Sequence, residues 1–287
     1  MMSLSTEYIV DQIAIGNTTT KSFYLKPACG GPIPAYTPGQ HVKVWFFIIV
    51  TGEQLIRSYK LPDSPGKDYR RLTINEVPQG KSSDYFHNDI EVGDIIPLNV
   101  LEGNFTLDIQ STWNVMLLSA GIGITPMLSM EEYIQKNQPE RKVHFIHSSR
   151  NKHTQIMKGR LHQIKDLFSN FNLCLLHSSP LKHEAFDRDY NVPGCLTEEI
   201  ITAIGNGSAF YICGPDDYVK NIRSYLKDLG FAQITCFLSI LVEIVRKSGP
   251  WKLSWNRKKP IMSPCLNKKK KFSGTRAMNQ SQCYVDP

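Results

Sequence analysis

The chain changes in character near Trp113, and this change constrains its fold more than any other feature of the 287 residues. Before that point, short apolar or β-branched runs are separated by turns rich in Gly and Pro. We expect six strands there, at residues 21–25, 41–50, 56–60, 71–77, 95–100 and 105–107. Strands at this spacing predict a six-stranded antiparallel barrel of the Greek-key kind.

After Trp113, strand-like runs alternate with helix-like stretches. The runs at residues 115–120, 143–147, 173–177 and 210–213 indicate strands, with apolar helical stripes between and after them. This alternation predicts a doubly wound parallel α/β domain with helices on both faces. We therefore divide the chain into a barrel domain at 1–109, an α/β domain at 110–233 and a tail at 234–287.

The tail carries most of the positive charge. Residues 246–287 contain eleven Lys or Arg and one acidic residue, Asp286, so they hold +10 against a formal net charge of +7 for the whole chain. Residues 1–245 therefore carry a formal net charge of −3. The tail also lacks hydrophobic periodicity, so we expect disorder there, and we expect no nucleic-acid partner.

Cysteine usage and apolar runs indicate a cytoplasmic protein. The seven cysteines form no C-x-x-C pair, no signal-peptide pattern opens the chain, and no iron–sulfur or other metal spacing is present. The longest apolar run, residues 234–245, is about half a membrane span and is interrupted by Glu243. We therefore expect no membrane anchor.

Arg57-Ser58-Tyr59 closes a predicted barrel strand. Strand alternation sends Arg57 and Tyr59 to the same face, where a guanidinium fork and a phenol suit the pyrophosphate and flat ring of a flavin nucleotide. Alone, the motif is more typical of an exposed Arg beside a half-buried Tyr.

Gly80-Lys81-Ser82-Ser83 precedes a short helix. If Ser82 or Ser83 caps that helix, its free amides, the glycine and Lys81 could together seat a phosphate. An ordinary capped helix is the alternative.

Gly121-Ile122-Gly123-Ile124-Thr125-Pro126 lies between a buried strand and a helix. Its glycines allow a tight turn and close approach of a dinucleotide, although Pro126 stands where the G-x-G-x-x-G pattern has its third glycine. A plain strand-to-helix turn would look the same.

Cys213-Gly214-Pro215 closes the fourth strand of the second domain, at the carboxyl edge where ligands of open α/β sheets bind. A small thiol there can lie near a nicotinamide ring. A buried structural cysteine is the alternative.

Taken in order, these motifs resemble the ferredoxin-NADP reductase superfamily, and within it the reductase module of flavohaemoglobins, the nitric oxide dioxygenases. The resemblance extends from about Tyr8 to Phe231. It is carried by residues 23–27, 38–41, 57–59, 92–94, 103–105, 121–127 and 213–215.

The resemblance implies an FAD site in the barrel and an NAD(P)H site in the α/β domain, with hydride passing from nicotinamide C4 to flavin N5. Tyr59, Thr125 and Cys213 are the implied catalytic residues. The implied cofactor-binding residues are His41, Arg57, Ser58, Tyr59, Lys60, Gly80, Lys81, Ser82, Ser83, Ala120, Gly121, Ile122, Gly123, Ile124, Thr125, Pro126, Ser149, Arg150, Cys213, Gly214 and Pro215.

Several positions depart from the family pattern. Relatives usually carry Ser or Thr at position 60 and Tyr at position 41, where this chain has Lys60 and His41. A lysine could still donate a hydrogen bond to the flavin, and its charge would favour the reduced form. The family's closing strand and aromatic C-terminal segment are not recognisable after Phe231.

Ser149 and Arg150 follow the second strand of the α/β domain, where NAD-specific folds often place an acid. A hydroxyl and a guanidinium suit a 2′-phosphate instead, which favours NADPH over NADH.

We conclude from the sequence that the chain is an FAD-dependent NAD(P)H oxidoreductase with a separate electron acceptor: a globin, a ferredoxin, an oxygenase or a small oxidant. The alternatives are the reductase component of an aromatic-ring oxygenase, using FMN or FAD, and a degenerate, non-catalytic binding protein.

Overall fold

The computed structural model describes residues 5–48, 53–204, 208–231 and 234–238. Most of the predicted tail, from residue 239 onward, lies outside the described residues. The disorder expected there therefore stays a prediction. Among the residues described, no helix is both long and apolar enough to cross a bilayer.

The N-terminal half forms an antiparallel sheet of six strands. They are β1 (Thr6–Asn17), β2 (Thr20–Pro27), β3 (His41–Ile48), β4 (Glu53–Lys60), β5 (Arg70–Asn75) and β6 (Ile95–Leu98). Their spatial order is β4-β3-β6-β1-β2-β5, and the two edge strands contact each other, so the sheet curls into a barrel around one apolar core. The predicted barrel class is confirmed.

The prediction of six strands missed β1 and was wrong about residues 105–107. In β1, charged and polar residues interrupt the apolar ones, so the alternation that marks a strand is weak. Tyr8 and Val10 are nevertheless buried in the barrel core. Phe105 and Leu107 are buried too, but they pack into the core of the second domain, and Leu107 N donates to the carbonyl of Pro38. Burial of a connecting segment, rather than strand pairing, explains their apolar character.

A short helix closes one end of the barrel. Helix α1 (Lys81–Asp84) continues into a wider helical turn, Tyr85–Asp89. Phe86 in this turn is fully buried, with its ring centroid 5.2 Å from Phe23 and 5.6 Å from Tyr59. The turn thereby fixes α1 against the end of β4.

The C-terminal half is a parallel sheet with helices on both faces. Its strands are β7 (Asn114–Ala120), β8 (Val143–Ser149), β9 (Phe171–His177), β10 (Val192–Pro193), β11 (Ser208–Gly214) and β12 (Ile234–Leu238). Its helices are α2 (Ile124–Asn137), α3 (Lys158–Leu167), α4 (Glu198–Ile204) and α5 (Asp216–Asp228). Helices α2 and α3 cover one face, and α4 and α5 cover the other. The predicted doubly wound fold is confirmed.

The strand order is β10-β9-β8-β7-β11-β12. The chain runs outward from β7 to β10 and then returns to place β11 on the other side of β7. This reversal opens a crevice at the carboxyl ends of β7 and β11, where open α/β sheets bind ligands.

Strand β12 corrects the expectation that no sheet strand follows Phe231. Ile234–Leu238 pairs in parallel with Phe210–Gly214 of β11, so the sheet continues past residue 233, where we had ended the domain. The sequence signal was hidden because the strand merges with a longer apolar run, residues 234–245.

Candidate functional site

The end of β4 brings the first and second motifs together. Arg57 is 7% exposed, and the Tyr59 hydroxyl lies 2.6 Å from Ser82 Oγ in α1. Burial raises the pKa of Tyr59 to about 12, so the phenol is protonated and can donate a hydrogen bond at neutral pH. Ser58, between them, is exposed.

The start of α1 differs from the predicted serine cap. Gly80 is the N-cap residue and no side chain caps the helix, because both serines lie inside the first turn. Ser83 Oγ instead accepts from Val77 N at 3.1 Å and lies 2.9 Å from Gly80 O. A Cβ on Gly80 would lie 2.8 Å from Ser83 Oγ, so this tight turn excludes a side chain there. Lys81 is exposed beside it.

The loops after β7 and β11 pack backbone to backbone. A Cβ on Gly123 would lie 2.3 Å from the carbonyl oxygen of Cys213, and one on Gly214 would lie 3.2 Å from Ala120 Cβ. Gly121 has a φ of +53°, which favours glycine. The third and fourth motifs are therefore adjacent, and each needs its glycines for the contact.

The start of α2 completes the loop. Residues 121–123 form a single 3₁₀ turn, and α2 begins at Ile124 with Pro126 in its first turn. Thr125 is buried, and its hydroxyl donates to the carbonyl of Ile122 at 3.1 Å. This bond fixes the threonine at the helix entrance.

Cys213 and Lys60 lie close enough to interact across the boundary between the domains. Burial raises the pKa of the Cys213 thiol to about 12 and the Lys60 ammonium partly offsets this, so the thiol is protonated. Burial lowers the pKa of Lys60 to about 8, with Cys213 opposing the shift. Lys60 Nζ donates to Gly39 O at 2.5 Å and lies 5.0 Å from the ring centroid of Phe105. The ends of β4 and β11 therefore lie close together.

His41 stands opposite Lys60 in the β3–β4 ladder. Burial, together with the charge of Lys60, lowers the pKa of His41 to about 4, so its imidazole is neutral at pH 7. A Cβ on Gly103 would lie 2.6 Å from His41 Nδ1, so the ring packs closely on that glycine. His41 is thus a half-buried neighbour of Lys60 rather than a barrel-surface residue.

Three buried hydroxyls lie at the carboxyl edge near the nucleotide loops. Among the residues described, Ser149 Oγ has no hydrogen-bond partner. Tyr218 packs against Gly214, and burial raises the pKa of its phenol while a hydrogen bond with Ser148 opposes that shift. Arg150 is exposed beside them, and no acidic residue ends β8.

The sequence reasoning gave no site role to Tyr218, Gly39 or Phe105, although Gly39 and Phe105 lie in segments that carry the family resemblance. Tyr218 lies in the first turn of α5, directly after the Cys213-Gly214-Pro215 motif, and that position is the signal that could have found it. Gly39 and Phe105 are brought to Lys60 only by tertiary packing: a Cβ on Gly39 would lie 2.4 Å from Phe105 O.

These residues fit a pair of nucleotide cofactors. The buried, unpaired hydroxyl of Ser149 needs a partner, and a bound ribose or phosphate can supply one. Glycine loops at a helix entrance let the phosphates approach backbone amides. Arg57 and Lys60 add positive charge at the barrel side of the crevice, which suits anionic groups.

Comparisons with known proteins support a flavin and a nicotinamide dinucleotide as cofactors. Residues 117–224 match the family model of the oxidoreductase NAD-binding domain. A flavohemoprotein of Bacillus thuringiensis subsp. konkukian is 34% identical over 221 residues, which are 74% of this chain and 54% of that protein. Flavohemoprotein A of Dictyostelium discoideum is 32% identical over 240 residues, which are 78% of this chain and 57% of that protein. The chain thus spans about half the length of the curated relatives it matches.

Solved structures share the fold. The flavohem-like FAD/NAD-binding domain of nitric oxide dioxygenase from Vibrio cholerae superposes with a TM-score of 0.72 at 24% identity, covering 81% of this chain and 98% of that one. Phthalate dioxygenase reductase superposes with a TM-score of 0.66 at 19% identity, covering 82% of this chain and 68% of that one. The resemblance inferred from the motifs is confirmed: the chain is similar in sequence to flavohemoproteins, matches the oxidoreductase NAD-binding family over residues 117–224, and has the two-domain fold of the flavohem-like FAD/NAD-binding domain.

Proposed function

We propose that this chain is an FAD-dependent NAD(P)H oxidoreductase that takes hydride from NAD(P)H and passes electrons to a separate acceptor. One observation carries the proposal: Lys60, next to Tyr59 at the end of β4, lies close enough to Cys213, at the end of β11, for the two groups to interact electrostatically. A flavin held by the barrel and a nicotinamide held by the α/β domain would meet there.

On the barrel side, Arg57 would bind the flavin pyrophosphate and Tyr59 would lie against the ring and ribityl chain. The hydrogen bond between Tyr59 and Ser82 supports this role, because it fixes the phenol beside the Gly80–Ser83 turn that would complete the phosphate seat. Ser58 and Lys81 would contact the nucleotide from the exposed side. His41 and Lys60 would lie at the cleft end of the same site.

On the α/β side, residues 120–126 would bind the nicotinamide dinucleotide through backbone amides. Cys213, Gly214 and Pro215 would bound the nicotinamide pocket, with the neutral thiol beside the ring. When bound, the two cofactors supply the hydride chemistry, and the protein contributes alignment and exclusion of water.

NADPH is the proposed donor in preference to NADH. Ser149 has a buried hydroxyl without a partner among the described residues, and Arg150 is exposed next to it at the end of β8. A hydroxyl and a guanidinium can bind a 2′-phosphate, whereas a carboxylate would repel it.

The acceptor is proposed by class only. Solved neighbours include a flavohemoglobin with bound FAD and heme, and a reductase described as transferring electrons from pyridine nucleotides to [2Fe-2S]. A haem globin, an iron–sulfur protein, an oxygenase or a small oxidant would each accept electrons one or two at a time from a reduced flavin.

Anaerobic titration of the purified protein with NADPH and with NADH tests the proposal. We expect a yellow protein whose flavin absorbance bleaches with one equivalent of NADPH and with a larger amount of NADH. Chromatography of the released flavin distinguishes FAD from FMN. A colourless protein, or a yellow one that neither nucleotide bleaches, would contradict the proposal and favour a non-catalytic binding protein.

A further inference from the structure

A partly buried ion-pair cluster joins the two domains. Arg160, in the first turn of α3, places Nη1 2.5 Å from Asp63 Oδ1 and Nη2 3.0 Å from Glu132 Oε2. Asp63 belongs to the barrel loop that follows β4, whereas Glu132 belongs to α2. One guanidinium therefore connects the barrel loop to both helices on this face.

Further bonds tie the same barrel loop to α2. Ser64 N donates to Glu132 Oε2 at 2.8 Å, and the Ser129 hydroxyl donates to Asp63 O at 2.8 Å. Lys67 Nζ lies 2.5 Å from Glu132 Oε1. The loop is thus held by backbone as well as side-chain groups, which restricts its sliding along α2.

The cluster is sheltered from solvent. The side chain of Asp63 is 8% exposed, that of Arg160 19% and that of Glu132 21%. Burial lowers the pKa of Arg160, but the carboxylates of Asp63 and Glu132 outweigh burial and raise it. Charged pairs with limited screening and direct hydrogen bonds are stronger than exposed surface pairs.

The cluster is connected along the chain to both cofactor motifs. Asp63 follows Tyr59 and Lys60 by a few residues along the chain, and α2 begins at the end of the Gly121–Gly123 turn. The strand that would hold the flavin and the loop that would hold the nicotinamide are therefore coupled through Asp63, Arg160 and Glu132.

We propose that Arg160 is a positioning residue that fixes the separation of the hydride donor and acceptor. The inference rests on the proposed function, and among the described residues the bonds of Arg160 go to Asp63 and Glu132 rather than to a residue of either proposed cofactor site. Hydride transfer needs its reacting atoms within a near-attack distance, and a misplacement of about 1 Å can cost on the order of 100-fold in rate. Loss of Arg160 should therefore slow hydride transfer without weakening the binding of either nucleotide cofactor.

Anaerobic stopped-flow reduction of the flavin by NADPH tests this inference. We expect Arg160→Met to lower the limiting rate of flavin reduction about tenfold or more. The NADPH dissociation constant from the same traces should stay within about twofold, and the flavin content should be unchanged. Arg160→Lys should recover part of the rate, because one ammonium can bind one of the two carboxylates. Lys165→Met, at an exposed lysine of the same helix, is the matched control and should behave as wild type.

The possible outcomes separate the two hypotheses. A wild-type rate in Arg160→Met would overturn the positioning role while leaving the proposed function intact. Wild-type protein that no nucleotide reduces would overturn the proposed function and the inference with it. If Arg160→Met loses its flavin, Glu132→Gln replaces it, because that change weakens one contact of Arg160 and keeps the side-chain shape. Glu132→Gln must then show the same separation of rate from affinity, and an unchanged rate would refute the role.

Discussion

Glu131 on α2 should make the folded protein lose stability as the pH rises. Its side chain is fully buried, and neither carboxylate oxygen has a hydrogen-bond partner among the residues described. Burial, reinforced by the charge of Glu132 and opposed by Arg160, raises the pKa of Glu131 from 4.5 to about 8. The folded state therefore holds a proton on Glu131 that the unfolded state releases above about pH 4.5.

The sign and size of the effect follow from proton linkage. Between the unfolded and folded pKa values the folded state binds the extra proton, so the free energy of unfolding falls by about 1.4 kcal/mol per pH unit. From pH 5 to pH 7 the loss amounts to about 3 kcal/mol, and it levels off above pH 8. Glu131→Gln keeps the shape and removes the ionisation, so its stability relative to wild type should improve by about that amount over the same interval.

Urea unfolding of wild type and Glu131→Gln at pH 5, 6, 7 and 8 measures this difference. Fluorescence and far-UV circular dichroism should be followed together, because coincident transitions justify a two-state free energy. Glu140→Gln, at an exposed glutamate, is the control and should track wild type at every pH. A stability difference between Glu131→Gln and wild type that is the same at pH 5 and pH 7 would refute the reasoning, because Glu131 would then ionise equally in both states.

Three further predictions concern the crevice. Lys60→Met should lower the flavin midpoint potential at pH 7 by roughly 30 mV, a tenfold change in relative affinity for the reduced form, and spectroelectrochemistry should show the gap closing above pH 8 as the wild-type lysine loses its proton. Gly123→Ala should destabilise the protein by about 1–3 kcal/mol, seen as a lower melting temperature, because the added Cβ meets the Cys213 carbonyl. Gly159→Ala, in α3 with nothing near the new atom, should instead be neutral or stabilising. Arg150→Leu should weaken NADPH binding about tenfold in fluorescence titrations and leave NADH binding unchanged, and equal losses for both nucleotides would contradict a 2′-phosphate contact.

The sequence alone predicted the architecture because periodicity and turn chemistry are local signals. The barrel, the alternating α/β half and the two glycine loops all follow from such signals. Strand β1 was missed because charged residues interrupt its alternation, and residues 105–107 were assigned to a strand because a buried connection has the same apolar pattern. The serine cap at α1 was wrong because helix boundaries shift easily by one or two residues.

The contents of the crevice were only partly predictable. Motif order predicted that the ends of β4 and β11 lie close together, but the neighbours of Lys60 depend on how the two domains pack. Phe105 lies 45 residues after Lys60 and Cys213 lies far beyond both, so no local pattern could place them together. The Arg160 cluster joins three separate segments and leaves no periodic trace in the sequence.

The parallel pairing of Ile234–Leu238 with β11 has a consequence for handling the protein. All seven residues of β11 are buried, so an edge left bare along this strand would present unsatisfied amides and carbonyls flanked by apolar side chains. Such an edge is a template for pairing with other chains. A recombinant version cut before Ile234 should therefore self-associate, even though every cofactor motif would still be present.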